Sequence, residues 1–127
     1  MVEAPLVLIV GVCASGKTTL STGLRKFGYN ARSLAQEHSV SPRLWQYRRP
    51  DFLILLHCEY STIKQRKQIS WGPNRYEQQL KVLQNARESA DLIVYTDDLS
   101  PQELVSYVDS QLRARGIYPT RRSNNGS

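Results

Sequence analysis

Gly11-Val12-Cys13-Ala14-Ser15-Gly16-Lys17-Thr18 sets two glycines, a lysine and a hydroxyl at the spacing G-x-x-x-x-G-K-[ST], without a mismatch. The chemistry that needs this spacing is the binding of phosphate. Glycine at positions where a Cβ would block the approach lets consecutive backbone N–H groups converge on phosphate oxygens. Lys17 would reach the outer phosphates, and the Thr18 hydroxyl would take a place on Mg²⁺. Gly11, Val12, Cys13, Ala14, Ser15, Gly16, Lys17, Thr18 and Thr19 are therefore the expected contacts for ATP or GTP with Mg²⁺.

Other residues have types that suit the same chemistry. Glu37 is expected beside the turn, holding a Mg²⁺ water or accepting the proton of an attacking hydroxyl; the competing reading is a surface glutamate. Arg66, with Lys67 and Arg75, is expected to neutralise charge on a phosphoryl group in transfer, against a solvated basic face. Trp45 and Tyr47 among Arg43, Arg48 and Arg49 either stack a base or, for Trp45, plug the sheet. Asp97 and Asp98 either face the ligand or favour the helix that starts after Ser100. His38 and His57 both follow expected strands, His57 as a satisfied sheet-end histidine. Cys13 and Cys58 are expected near one another, as inert thiols or as a redox pair.

These residues need a scaffold, and the hydrophobic pattern describes one. Residues 5–10 form a continuous apolar run, the mark of a strand buried on both faces. Leu20, Leu24 and Phe27 then recur on one helical face, and Gly28 supplies a stop. A second strand is expected over residues 30–36, an irregular connection with at most one helical turn over 38–50, and another buried strand over 52–58. A helix over 60–69 is broken by Trp71-Gly72-Pro73. Tyr76, Leu80, Leu83 and Ala90 line the next helix, with Glu77 and Lys81 paired along another face. Residues 92–96 make a fourth strand. Ser100, Pro101 and Glu103 open the last helix with a cap, a first-turn proline and a capping-box partner, and Gly116 closes it. Alternating strands and helices predict an α/β fold, a short parallel sheet of about four strands with helices on both faces. Ligands bind such sheets at the carboxyl ends of the strands, where the turn and the acidic candidates fall.

The turn, the alternation of elements and the segment Ala90-Asp91-Leu92-Ile93-Val94-Tyr95-Thr96-Asp97-Asp98-Leu99-Ser100-Pro101, with its aliphatic strand and acidic turn, resemble the P-loop kinase superfamily of nucleoside, nucleotide and small-molecule kinases. Residues 49–56, Arg-Pro-Asp-Phe-Leu-Ile-Leu-Leu, also look like the strand before the lid helix of those proteins. The resemblance implies a three-layer P-loop fold, ATP with Mg²⁺, and phosphoryl transfer to a small acceptor such as a nucleoside or nucleotide. Members often carry aspartate where this chain has His57, and the chain is short in the acceptor and lid regions. A nucleotide-binding module or weak NTPase without a dedicated acceptor therefore stands as an alternative.

At 127 residues there is room for one domain, expected over residues 1–116 with a basic polar tail over 117–127. The net charge of +6 is local. It gathers in the central residues Arg43, Arg48, Arg49, Lys64, Arg66, Lys67 and Arg75, and in the tail. Such a distribution suits a phosphorylated ligand or nucleic acid, including a polynucleotide end as acceptor. Two cysteines are too few for a disulfide framework, no apolar run nears the ~20 residues of a membrane span, and no positive leader is visible. The expectation is a cytoplasmic protein with no membrane partner, as monomer or homodimer.

Overall fold

The computed structural model describes residues 4–120. Four strands, β1 (Leu6–Gly11), β2 (Asn30–Ser33), β3 (Phe52–His57) and β4 (Leu92–Tyr95), pair in parallel in the order β2-β1-β3-β4. Helices α1 (Lys17–Lys26), α2 (Tyr60–Arg66), α3 (Pro73–Ser89) and α4 (Pro101–Ala114) connect or follow them. The chain leaves β1 toward β2 on one side and returns across β1 to β3 on the other. The ends of β1 and β3 thus flank a topological switch, where α/β sheets leave a crevice.

Side chains alternate along the two central strands, so each supplies both faces. Val7, Ile9, Ile54 and Leu56 meet Leu20 and Leu24 of α1 and Leu104, Val108 and Leu112 of α4. Leu8, Val10, Leu53 and Leu55 meet Ile63 of α2 and Tyr76, Leu83 and Ala86 of α3. Two cores, one on each face, account for the continuous apolar runs, and each fully buried leucine contributes about 2 kcal/mol. The result is an α/β arrangement of helix, sheet and helix.

Several element boundaries differ from expectation, each for a local reason. The second strand ends at Ser33 rather than at residue 36, because the buried Gln36 turns away from the ladder. Its Nε2 donates to Ser41 O (2.7 Å), and its Oε1 accepts from Trp45 N (2.8 Å). The chain there makes a 3₁₀ turn at Gln36–His38, and the following connection holds a further 3₁₀ segment at Leu44–Arg48. β3 and β4 each stop one residue before the expected end. α2 stops at Arg66 because Lys67 takes an extended backbone (φ −146°, ψ 140°). Glu77 and Lys81 form no ion pair; the i,i+4 contact on α3 is Gln84 Nε2 to Glu88 Oε2 at 3.0 Å.

α4 opens as expected. Ser100 Oγ accepts from Glu103 N (3.1 Å), and Glu103 Oε1 accepts from Ser100 N (2.8 Å). The expected tail begins too early at residue 117. Ile117 packs on the first core, and Thr120 donates from both its N (3.0 Å) and its Oγ1 (2.9 Å) to Gly28 O. Residues 121–127 of that tail lie outside the described residues. Among the described residues no helix is long and apolar enough to cross a membrane.

Candidate functional site

β1 ends at Gly11, and the chain turns through residues 12–16 into α1. An added Cβ at Gly11 would collide with the Leu56 carbonyl oxygen and come within 2.7 Å of Ser15 Oγ, so close approach to β3 dictates glycine there. Gly16 caps α1 at φ 109°, a left-handed conformation that a side chain would strain. Leu20 N to Gly16 O (2.9 Å) is the first helical bond. The amides of Lys17, Thr18 and Thr19 therefore precede the first intrahelical bond, and no side chain caps them. They point with the positive end of the helix dipole out of the turn.

Lys17 lies across this opening. Its Nζ donates to Gly11 O (3.1 Å), Val12 O (3.2 Å) and Glu37 Oε2 (2.7 Å). Glu37 is therefore no surface glutamate: its side chain is 4% exposed, and it stands beside the turn as expected. His38 Nε2 approaches the same oxygen at 3.6 Å. Glu37 Oε1 is buried without a hydrogen-bond partner, and so is Ser15 Oγ. Buried polar atoms left open at one place are costly unless a ligand or water meets them.

Three tethers fix the shape of the turn. Cys13 N donates to Gln79 Oε1 of α3 (3.0 Å). Thr96, beyond β4, donates from Oγ1 to Ser15 O (2.8 Å). Arg66 of α2 donates from Nη1 to Ala14 O (2.9 Å) and from Nη2 to Thr96 O. Arg66 is thus at the site, with its guanidinium bonded to the carbonyls of the turn and of the β4 end. Gln79 and Thr96 were not among the expected site residues. For Gln79 a signal existed: it is a polar residue within the apolar stripe of Tyr76 and Leu83. Thr96 gave none, since a threonine at a strand end is unremarkable in sequence.

Asp97 does not face the turn. Its Oδ1 accepts from Glu59 N (2.8 Å), the N-cap of α2, and from Thr62 Oγ1. Burial alone would raise its pKa, but those two donors hold the carboxyl below the ordinary aspartate value. Asp98 is exposed. His57 is a satisfied sheet-end residue: Arg87 Nη2 lies 3.0 Å from Nδ1, and Glu59 Oε2 lies 3.0 Å from Nε2. A guanidinium only donates, so Nδ1 accepts and the proton sits on Nε2, facing Glu59. Trp45 covers the second core rather than standing free, with Nε1 bonded to Asn85 Oδ1 (2.9 Å). Tyr47 is exposed.

Cys58 Sγ lies 4.0 Å from both Cys13 O and Ala14 O, so the two cysteines are neighbours as expected. Both are free thiols, and burial pushes the Cys58 pKa up to about 11. The central basic residues are divided by the fold. Arg48 and Arg49 precede β3, at the end of the sheet away from the turn, whereas Lys64, Arg66 and Lys67 follow it.

Two clefts open on the turn. One, of about 540 Å³, is lined by Lys17, Thr18, Thr19, Glu37, Arg66 and Lys67 among others. The other, of about 310 Å³, lies between Arg66 and Thr96 on one side and the apolar Leu99, Pro101 and Leu104 on the other. Among the described residues no cluster of three or more His, Cys, Asp or Glu side chains could hold a metal. The oxygen donors at hand are the Thr18 hydroxyl and the Glu37 carboxylate. Hard donors of this kind, few in number, match Mg²⁺, which keeps waters and takes its remaining ligands from phosphates. No protein-family model matches the chain, and no curated protein matches it significantly.

Proposed function

We propose that the chain is a small P-loop phosphotransferase of the kinase type, which binds ATP or GTP with Mg²⁺ at Gly11–Thr19 and transfers the terminal phosphoryl group to a small acceptor. The observation that carries this reading is the convergence of free α1 amides, Lys17 Nζ and the buried Glu37 carboxylate on one cleft. Phosphate oxygens would take the amide hydrogens of residues 16–19, and Lys17 would exchange its loop carbonyls for the β and γ phosphates. The smaller cleft suits a base, with Leu99 and Leu104 as an apolar wall. Thr18 would hold Mg²⁺ directly and Glu37 would hold it through a water on Oε2, which leaves Oε1 open, and the ion would supply neutralisation of phosphate charge.

Glu37 would orient the acceptor hydroxyl and take its proton, while Lys17 and Arg66 offset charge on the phosphoryl group. In the transfer, the acceptor oxygen forms a bond to the γ-phosphorus and the bond from that phosphorus to the β–γ bridging oxygen breaks. The products are a phosphorylated acceptor and ADP or GDP, with the proton passed to Glu37. The test is direct titration with MgATP and MgGTP. Wild type is expected to bind one of them in a Mg²⁺-dependent manner, and Lys17→Ala to lose that binding by tenfold or more. Equal affinity in the variant would refute the assignment.

A second reading, a nucleotide-binding module or weak NTPase, draws on His57. That residue stands at the end of β3 with its bonds taken by Arg87 and Glu59, so it offers no acid to a metal. Nucleotide hydrolysis that no acceptor accelerates would favour it.

A further inference from the structure

Adjoining Glu37 is a third cleft, of about 520 Å³, between the 3₁₀ turn at Gln36–His38, the loop through Val40, and α3. Glu37 and His38 line both this cleft and the one that holds Lys17, so the two meet at the carboxylate. Two of the residues that line it carry a buried polar atom with no partner, Glu37 Oε1 and Gln79 Nε2, and Gln79 is only 1% exposed. The orientation of the Gln79 amide is fixed by chemistry. Cys13 N–H can only donate, so the oxygen faces it and the NH₂ group is left without a partner. Glu37 Oε2 is taken by Lys17, which leaves Oε1 as an acceptor.

An unmet donor and an unmet acceptor on residues of one cleft suit a ligand group that can both accept and donate. A hydroxyl group answers both, accepting from Gln79 Nε2 and donating to Glu37 Oε1. The outer part of the cleft is cationic. Arg75 and Lys81 line it, both exposed, with Arg75 one helical turn from Gln79 on α3. Glu37 is its one acidic lining residue, and Lys17 already pairs with that carboxylate. Val40, fully exposed, and Val82 give a carbon skeleton apolar contact.

We propose that this cleft binds a small anionic alcohol, its hydroxyl inward between Glu37 and Gln79 and its phosphate or carboxylate outward on Arg75 and Lys81. Resting on the phosphotransferase reading, that molecule is the acceptor: its hydroxyl oxygen receives the phosphoryl group, its proton passes to Glu37, and ADP leaves. Arginine and lysine together favour an anion over a neutral alcohol, and Gln79 and Glu37 select the hydroxyl.

The test is a titration of the full chain, without nucleotide, followed by the side-chain amide resonance of Gln79. The probes are glycerol 3-phosphate and ribose 5-phosphate, each against glycerol or ribose, with glycerate as the carboxylate arm. A charged probe is expected to shift that resonance and to bind about tenfold tighter than its neutral counterpart. Whether phosphate or glycerate binds tighter identifies the anion. Arg75→Ala and Lys81→Ala, at exposed positions, should each weaken the charged probe about tenfold with the rest of the spectrum unchanged. Gln79→Glu, which keeps the acceptor for Cys13 N and removes the donor, should abolish the preference for alcohols. Equal binding of charged and neutral probes, an unmoved Gln79 resonance with every probe, or unchanged affinity in both cation variants overturns the proposal. MgATP binding with none of these effects removes the cleft and leaves the nucleotide site. The effects without MgATP binding support the cleft as an anion site and overturn its role as acceptor.

Discussion

Glu37 has its two oxygens in different surroundings, one held by Lys17 and one buried and open. If it takes the acceptor proton, Glu37→Gln removes the base while keeping shape and an oxygen for Lys17. Turnover should fall by about 10²–10⁴-fold with nucleotide affinity changed far less, a split that steady-state kinetics with MgATP and an accepted substrate will show. Cys58 carries a prediction of the opposite kind. It is fully buried, and its pKa is pushed up to about 11, so the thiolate that alkylation and disulfide exchange require is scarce near neutral pH. Iodoacetamide at neutral pH should leave Cys58 unmodified in the native chain and label it after denaturation, as peptide mass spectrometry would resolve; rapid native labelling would revive the redox reading. Much at this scale was legible in sequence, because Gly11, Gly16 and Lys17 occur at a spacing with one geometric use. The place of Glu37 beside Lys17 was legible from its position after a strand. The parts played by Gln79 and Thr96 were not, since each acts by binding the backbone of a segment more than sixty residues away.

Elements were readable where their signals are local. The Ser100, Pro101 and Glu103 signature of α4 lies within four residues, and its reciprocal bonds are formed. Ser100→Ala should cost about 1 kcal/mol, read as a lower denaturant midpoint with an unchanged slope. β2 was overextended because the residue that ends it, Gln36, bonds to Ser41 and Trp45, and no period in the sequence announces such a bond. α2 depends on Asp97, which reaches it from beyond β4. Because the donors from α2 hold the Asp97 pKa low, its contribution to folding is complete above the ordinary aspartate range and is lost as pH falls below about 4. Asp97→Asn should therefore be less stable than wild type at neutral pH. The difference should shrink as urea unfolding is followed into acid.

For the molecule as a whole, two cores on one small sheet leave stability spread across the chain up to Thr120. A chain ending at Thr120 and one ending at Gly116 differ by the packing of Ile117 and the bonds from Thr120 to Gly28. The shorter chain should be less stable by about 1–2 kcal/mol in urea unfolding, whereas a disordered segment would give no difference. The parallel order of strands was legible because each buried strand alternates with a helix, but the division of the basic residues between two ends of the sheet was not, since linear proximity hides a turn of the chain. The turn at residues 12–16 is tied at Cys13, Ala14 and Ser15 to α3, α2 and the end of β4. A ligand seated on that turn would therefore be bound by a surface already ordered at folding, and it would resist unfolding of distant elements as much as of its own loop. Affinity then depends on the ties as well as on the ligand contacts: a change at Gln79, Arg66 or Thr96 that loosens one tie should raise the dissociation constant and speed hydrogen exchange most where the tie was lost.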